Sequence, residues 1–210
     1  MKKLLIVVLV LLSTGGVSMA NQEYDQMLYP VVRLFFDDWN ASGVVVYAGE
    51  GHSLILTVGH AVQGEDEVNV VLYPSNIVVP GKVVKIGKKH DLALVRINVE
   101  HKYVAKRGSA KKLLLFMETW KVGCGLNKPP FPTKGIISAF DAELGTMQTD
   151  ANIILGDSGG AFFIKQGHDY RLAGVVVGMA VVRGKGGVQL LPHIAYGFNL
   201  YAIEQFLKEE

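Results

Sequence analysis

The chain has 210 residues, half of them apolar, with 21 basic and 19 acidic side chains. This length and apolar content suffice for one large or two small domains with a hydrophobic core, and they exclude a disordered chain. The single cysteine excludes an intramolecular disulfide, so folding stability must come from the core. The basic residues are not interleaved with aromatic ones, which favours a solvated surface over a nucleic-acid partner.

The first twenty residues have the order of a secretory signal peptide. Lys2 and Lys3 precede the apolar run 4–12, and small residues lead up to Ala20. Because the run is shorter than the ~20 apolar residues that a membrane-spanning helix needs, we expect cleavage after Ala20 and export to the periplasm or medium. A membrane contact is expected only if the segment stays uncleaved. Cleavage removes two lysines and leaves no net charge on the mature chain.

From residue 42 onward, short runs rich in β-branched residues alternate with glycine, a pattern typical of an all-β fold. We predict two six-stranded antiparallel β-barrels and a short C-terminal helix. Apolar residues at Ala202, Ile203, Phe206 and Leu207 predict a helix face that packs on the second barrel. The predicted segments are a lead-in at 21–40 that can add a sixth strand, a barrel at 41–98, a linker at 99–117, a barrel at 118–200 and the helix at 201–210.

A glycine-rich segment, residues 156–160, contains the candidate nucleophile Ser158. An isolated serine hydroxyl is a poor nucleophile, so this hypothesis requires a base, an orienting acid and oxyanion donors elsewhere. His60 directly follows an apolar strand and lies among small residues, which suits a rigidly held base. Asp91 opens a buried strand, where a carboxylate needs a partner such as the imidazole N–H of His60.

The remaining polar candidates have simpler interpretations. Asp150 competes with Asp91 for the role of the acid, and we expect it to bond local backbone. Cys124 ends an apolar strand and is predicted to be a small buried hydrophobe. No histidine or second cysteine stands at ligand spacing beside it, so no metal and no cofactor are predicted. We predict exposed loop positions for the other five histidines: His52, His90, His101, His168 and His193.

Three segments together resemble the signature motifs of trypsin-like serine peptidases. They are residues 57–61, 91–94 and 156–160, and they place histidine, aspartate and serine in that order. The resemblance is nearest to the HtrA branch and covers roughly residues 40–207, including similar segments at 135–139, 147–151 and 196–198. It implies a chymotrypsin-like double barrel and a serine endopeptidase that acts on polypeptides.

The sequence departs from the HtrA pattern in two places. HtrA proteins usually carry asparagine before the nucleophile and a C-terminal PDZ domain, whereas this chain has Asp157 and ends at Glu210. Gating by a PDZ domain is therefore not implied. In the trypsin branch, an aspartate at this position pairs with a new N-terminus released by cleavage, but no matching start is visible here. The partner of Asp157 stays open, and one possibility is a latent state that awaits a ligand.

The resemblance also implies a role for each site residue. Ser158 is the nucleophile, His60 the general base and Asp91 the acid that orients it, while the oxyanion hole is formed by the amides of Gly156 and Ser158, helped by Asp157. Residues 175–177 are implied to offer a strand edge to an extended substrate. The full set of implied substrate-binding residues is Asn152, Leu155, Val175, Val176, Val177 and Gly178.

The sequence leaves alternatives for the preferred substrate side chain and for the activity itself. Asn152, not an aspartate, stands six residues before Ser158, so we expect a preference for a small or medium apolar side chain rather than arginine or lysine. A catalytically silent double barrel that binds peptides and an esterase with the same triad are the other functions considered. The double-barrel pattern lacks the alternating helices of the esterase fold that carries a nucleophile elbow.

Overall fold

The structure is a computed structural model that describes residues 24–184 and 187–209. These residues form two closed barrels of six strands each, followed by one helix. The predicted all-β double barrel and its C-terminal helix are confirmed. The predicted signal peptide lies outside the described residues. Within residues 24–184 and 187–209, no helix has the length and apolar character needed to cross a membrane.

The first barrel begins before the predicted boundary at residue 41. Its first strand pairs with both the second and the fourth, which closes the barrel, so the predicted lead-in supplies the sixth strand. Alternate side chains point inward and are fully buried, as at Val44, Ile55 and Val95. The strands are β1 (Val31–Phe35), β2 (Asn40–Gly49), β3 (His52–Thr57), β4 (Glu67–Leu72), β5 (Ile77–Ile86) and β6 (Ala93–Ile97).

The second barrel closes through pairing of its first strand with its fourth. Beyond the barrel, the last two strands continue as a two-stranded hairpin from the Ala180–Leu191 pair to the Gly184–Gly187 pair. Its strands are β7 (Glu118–Gly123), β8 (Phe131–Asp141), β9 (Thr146–Thr149), β10 (Ala161–Gln166), β11 (Asp169–Gly184) and β12 (Gly187–Asn199).

The connection between the barrels is held by main-chain hydrogen bonds to both of them. The Ala105 amide donates to the carbonyl of Val45 on β2 at 2.9 Å, and the Gly108 amide donates to the carbonyl of Leu172 on β11 at 2.9 Å. A single turn of 3-10 helix, Ala110–Lys112, follows. The segment predicted as a linker therefore fixes one barrel against the other.

The C-terminal helix, Leu200–Lys208, bridges the two barrels. Asn199 caps it by accepting the amide of Tyr201 at 2.9 Å. The predicted packing on the second barrel is only part of its contacts, because Lys85 Nζ of the first barrel donates to the carbonyl of Phe206 at 2.7 Å. His90 is buried, with Nε2 3.2 Å from Gln205 Oε1 of the helix.

Two histidines were predicted to be exposed and are buried instead. His90 is covered by the C-terminal helix and by the ring of Phe198. His101 lies against Tyr29, with Nε2 2.9 Å from its carbonyl oxygen, and burial lowers the pKa of His101. Both predictions failed because the covering elements come from distant parts of the chain, which the local sequence does not reveal.

Candidate active site

Neighbouring strands of the first barrel bring His60 and Asp91 together. His60 lies in a single 3-10 turn, Gly59–Ala61, after β3, and Asp91 precedes β6. Since β3 and β6 are paired antiparallel, with Thr57 opposite Ala93, the end of one strand faces the start of the other. This pairing explains why residues 31 positions apart in the sequence meet.

The His60 ring is held by the Asp91 carboxylate. Nδ1 of the ring lies 2.5 Å from Asp91 Oδ2, and Asp91 Oδ1 accepts the His60 amide at 2.7 Å. This hydrogen bond to the ring is the main cause that lowers the pKa of Asp91. Glycine at 59 leaves the necessary space, because a Cβ there would lie 2.7 Å from Asp91 Oδ1. The arrangement keeps Asp91 ionised and leaves Nε2 of the ring for proton transfer.

Ser158 lies in the turn that precedes β10. Its main-chain carbonyl accepts the amide of Ser42 from the first barrel at 2.8 Å, and its hydroxyl donates to the carbonyl of Val177 on β11 at 3.0 Å. Within the part of the chain that the structure describes, the Ser158 hydroxyl makes no hydrogen bond to His60. The nucleophile candidate is thus anchored beside the first barrel, with its hydroxyl turned toward β11.

The turn around Ser158 requires glycine on both sides. Gly156 and Gly159 have φ of +94° and +84°, a region that side chains rarely adopt. A Cβ on Gly159 would lie 2.0 Å from the carbonyl oxygen of Ser42 and 2.2 Å from Oγ1 of Thr57. Since Thr57 ends the strand that leads to His60, this close packing sets the serine turn directly against the histidine segment.

The amides of this turn divide into bonded and unbonded groups. The Asp157 amide donates to the carbonyl of Ile154 at 3.1 Å, and the Gly159 amide donates to that of Val176 at 2.8 Å. The prediction that the Asp157 amide helps the oxyanion hole is therefore wrong for this conformation. The amides of Gly156 and Ser158 have no acceptor among residues 24–184 and 187–209.

The Asp157 carboxylate is fully buried and is paired with Lys121 of β7. Lys121 Nζ lies 2.7 Å from Asp157 Oδ2, and neither side chain is exposed to solvent (0% for each). The carboxylate also accepts the amides of Gly125 at 3.1 Å and Ile154 at 2.9 Å. Burial lowers the pKa of Lys121, and the carboxylate acts against this by stabilising the ammonium. The partner of Asp157, which the sequence analysis left open, is therefore Lys121 of the same chain.

The predicted substrate-binding residues fall into two groups. Val175 and Val176 are fully buried, and both main-chain groups of Val176 bond Gly159 and Gly160, so the prediction that these two valines form an open edge is wrong. Val177 and Gly178, one step further along β11, are half-buried. The predicted pocket residues Asn152 and Leu155 are exposed, Leu155 to 70%.

A cavity of about 520 Å³ lies beside β11 but does not contain the candidate catalytic residues. Val177 is the one predicted substrate-binding residue that lines it. The other lining residues are Ala139, Phe140, Asp141, Leu144, Thr146, Gln148, Tyr196, Gly197 and Phe198. Its walls come mainly from β8, β9 and β12, so it lies along the second barrel rather than at the serine turn.

Three polar residues that support the serine turn were missed at the sequence level. Ser42 Oγ donates to the carbonyl of Gly156 at 2.8 Å, and Asn40 Nδ2 donates to that of Cys124 at 2.8 Å. Ser42 gave no signal, because serine is common at strand ends. The third is Lys121, and a lysine between Trp120 and Val122 inside an apolar strand was a detectable anomaly.

Of two other predictions, the one for Cys124 agrees with the structure and the one for Asp150 agrees in part. Cys124 is fully buried, and burial raises the pKa of its thiol to about 12, so it is an inert hydrophobe as predicted. Asp150 bonds backbone and not a histidine, as Oδ1 accepts the amide of Ile136 at 2.6 Å. The expectation of a local partner was wrong, because Ile136 belongs to the neighbouring strand β8.

Comparisons with known proteins assign the chain to a family. The family described as trypsin-like peptidase domain matches residues 41–179, and the chain belongs to this family. It is 35% identical over 133 residues to Serine protease Do-like HtrA of Lactobacillus helveticus. The aligned region covers 57% of this chain and 32% of that protein. The chain thus spans about a third of the length of this curated relative.

Solved structures share the fold at low identity. HtrA-type protease AlgW with tripeptide superimposes with a TM-score of 0.75 at 22% identity, over 90% of this chain and 62% of that one. The serine endoprotease from Yersinia pestis gives a TM-score of 0.72 at 20% identity, over 90% and 65%. At these identities the likeness supports the double-barrel fold alone, whereas the family assignment rests on the sequence match.

Proposed function

We propose that this chain is a serine endopeptidase that hydrolyses peptide bonds through an acyl-enzyme intermediate. Ser158 attacks the substrate carbonyl, His60 takes its proton and later gives it to the leaving amine, and Asp91 holds the ring. The observation that carries the proposal is the hydrogen-bonded His60–Asp91 pair, with a nucleophile turn packed against the same strand end. Membership of the trypsin-like peptidase family supports the same reaction.

The oxyanion hole in this proposal consists of the amides of Gly156 and Ser158. Ser42 Oγ donates to the Gly156 carbonyl at 2.8 Å, which fixes the peptide plane that lies between these two donor residues. Donors aimed at the developing negative charge stabilise the transition state, and removal of one costs about 3 kcal/mol. The absence of an acceptor for either amide among the described residues leaves both available for a substrate oxygen.

The Ser158 hydroxyl must turn before it can react. It donates to the Val177 carbonyl at 3.0 Å, and attack requires a rotation about its Cα–Cβ bond toward Nε2 of His60. This rotation frees the Val177 carbonyl to accept a main-chain N–H of the substrate. The half-buried Val177 and Gly178 then offer the strand edge along which an extended polypeptide pairs, as in β-strand addition.

A serine-directed phosphonate probe tests this proposal. We expect wild-type protein to be labelled on Ser158 and the Ser158→Ala variant to stay unlabelled under the same conditions. If folded wild-type protein is not labelled, this result would contradict the proposal and favour the catalytically silent peptide-binding barrel. Casein and a series of p-nitrophenyl esters, assayed in parallel, separate a peptidase from an esterase, because an esterase hydrolyses the esters and leaves casein intact.

Specificity is proposed to favour a small or medium apolar side chain before the cleaved bond. Asn152, Leu155, Val177 and Gly178 carry no charge that would bind arginine or lysine. Mass spectrometry of a peptide mixture digested by the protein would give the preference directly. Cleavage mainly after arginine or lysine would contradict this assignment without affecting the proposed reaction.

Export is proposed from the first twenty residues. Their basic start, apolar run and small residues up to Ala20 have the order that a signal peptidase recognises. Expression of the full chain with its first residues intact should yield a mature form that begins at Asn21, measurable by intact mass. A retained N-terminus on membrane-bound protein would show that the segment is an anchor.

A further inference from the structure

We propose that Lys121 is a positioning residue for the oxyanion turn, because its ammonium group supplies the internal cation that holds Asp157. The inference rests on the proposed peptidase function. It adds a residue that the triad and the oxyanion amides do not include. It also implies that the site is assembled without a cleavage that releases a new N-terminus.

The position of Asp157 makes its carboxylate a determinant of the turn. Asp157 lies between Gly156 and Ser158, the two residues whose amides are available for the substrate oxygen. Its own amide donates to Ile154, its carbonyl accepts the amide of Gly160 at 2.8 Å, and its carboxylate accepts the amide of Ile154 at 2.9 Å. A change in the direction of the carboxylate would therefore rotate the peptide groups on either side of it.

The carboxylate is directed by Lys121 and closely enclosed. Lys121 lies on β7, where it stands opposite Phe162 of β10 and Thr133 of β8, so its backbone is fixed on both sides. A Cβ on Gly123 would lie 2.4 Å from Asp157 Oδ1, and one on Gly125 would lie 2.9 Å from it. Glycine at both positions lets the backbone close around the carboxylate.

The charges of Lys121 and Asp157 require the two side chains to stay paired, because both are buried. Neither side chain is exposed to solvent, and of the described ion pairs this is the one in which both partners are fully buried. A buried charge without a partner is strongly unfavourable, so each side chain holds the other in place. In the trypsin branch that this sequence resembles, a newly released α-amino group has this role. Here the ammonium group of Lys121, a side chain of the second barrel, lies 2.7 Å from the carboxylate.

The test measures the rate of phosphonate labelling per folded molecule, with the folded fraction taken from circular dichroism. Wild type and Ser158→Ala are measured in parallel, so that loss of the proposed function is distinguished from loss of the Lys121 role. We expect Lys121→Met to react at least about 100-fold more slowly, the size of effect for a lost oxyanion donor. Lys134→Met is the matched control, since Lys134 makes a solvent-exposed ion pair with Glu118 on the same barrel, and it should react like wild type.

A second variant keeps the test decisive if Lys121→Met fails to fold. Lys121→Met/Asp157→Asn leaves no unpaired buried charge, and we expect it to fold and to react about 10-fold or more slowly than wild type. It should also react faster than any folded Lys121→Met. Labelling of either variant at the wild-type rate, in a preparation where wild type reacts and Ser158→Ala does not, overturns the role of Lys121.

A blocked N-terminus tests the absence of processing. Protein from Asn21 onward is prepared with an uncut N-terminal tag and, in parallel, with the tag removed. We expect equal labelling rates within about 2-fold, because the cation for Asp157 is already present in β7. Labelling that begins only after the tag is removed would show that a free α-amino group is required and would overturn the inference.

Discussion

Two acid–base pairs lie near the serine turn, and they differ in their exposure to solvent. The side chains of His60 and Asp91 are 48% and 39% exposed, whereas those of Lys121 and Asp157 have no exposure at all. Exposed pairs contribute little to folding because water screens them, while breaking a buried pair is costly. This difference supports the proposed division, in which the exposed pair takes part in the reaction and the buried pair sets the shape of the site.

The largest expected effect comes from a change in the exposed His60–Asp91 pair, and it is an effect on kcat and not on stability. Asp91→Asn should lower kcat by about 10⁴-fold, because the amide does not hold the imidazole in the required tautomer. Thermal unfolding should stay within a few degrees of wild type, as an exposed pair contributes about 0–1 kcal/mol. Asp150→Asn is the control, since that side chain bonds the amide of Ile136 and should leave kcat unchanged. A stable, fully active Asp91→Asn would remove Asp91 from the mechanism.

The buried pair should show the reverse balance. Lys121→Met leaves the Asp157 carboxylate without its cation and should lower the free energy of unfolding by about 3–5 kcal/mol, measured by urea denaturation. The Lys134→Met control should change it by less than about 1 kcal/mol. A Lys121→Met variant as stable as wild type would mean that the two pairs do not differ as the comparison requires.

A smaller effect is expected where the first barrel supports the turn. Ser42 Oγ donates to the Gly156 carbonyl and accepts the amide of Cys124, both at 2.8 Å. Ser42→Ala leaves both groups without this partner and should cost about 1–3 kcal/mol of unfolding free energy. Ser138→Ala, which loses only a solvent-exposed contact with Gln148, should be nearly neutral. Equal stabilities of the two variants would contradict this support role.

The smallest effect concerns acid stability. The hydrogen bond from His60 places the pKa of Asp91 below its usual value in the folded chain. The resulting stabilisation is present above the unfolded pKa of about 3.9 and is lost as the pH falls through the folded pKa. The difference in unfolding free energy between wild type and Asp91→Asn should therefore shrink below pH 4, from an initial value under about 1 kcal/mol. A difference that grows with acidity would have the wrong sign.

Much of the fold was predictable from the sequence because each barrel strand carries a local signal. The runs of β-branched residues separated by glycine match the strands of both barrels, and the hairpin between β2 and β3 turns at Glu50 and Gly51, both with positive φ. Strand β1 was harder to define, since it lies within a lead-in of mixed composition and is fixed by its pairing with β4.

The site was predictable only where a motif carries it. His60, Asp91 and Ser158 stand in recognisable segments, and the structure brings the first two into hydrogen-bond contact. The partner of Asp157 could not be derived, because Lys121 is 36 residues away and only the closure of the second barrel brings it near. The burial of Val176 likewise depends on bonds to Gly159 and Gly160, which are tertiary contacts.

The buried thiol of Cys124 can serve as a built-in probe of how often the folded structure opens. Its thiol is buried, its amide donates to Ser42 Oγ, and its carbonyl accepts Asn40 Nδ2, so it lies at the junction of the two barrels. It is the single cysteine of the chain. Modification by a thiol reagent therefore requires an opening of the structure around Cys124, and the rate of modification reports how often that opening occurs.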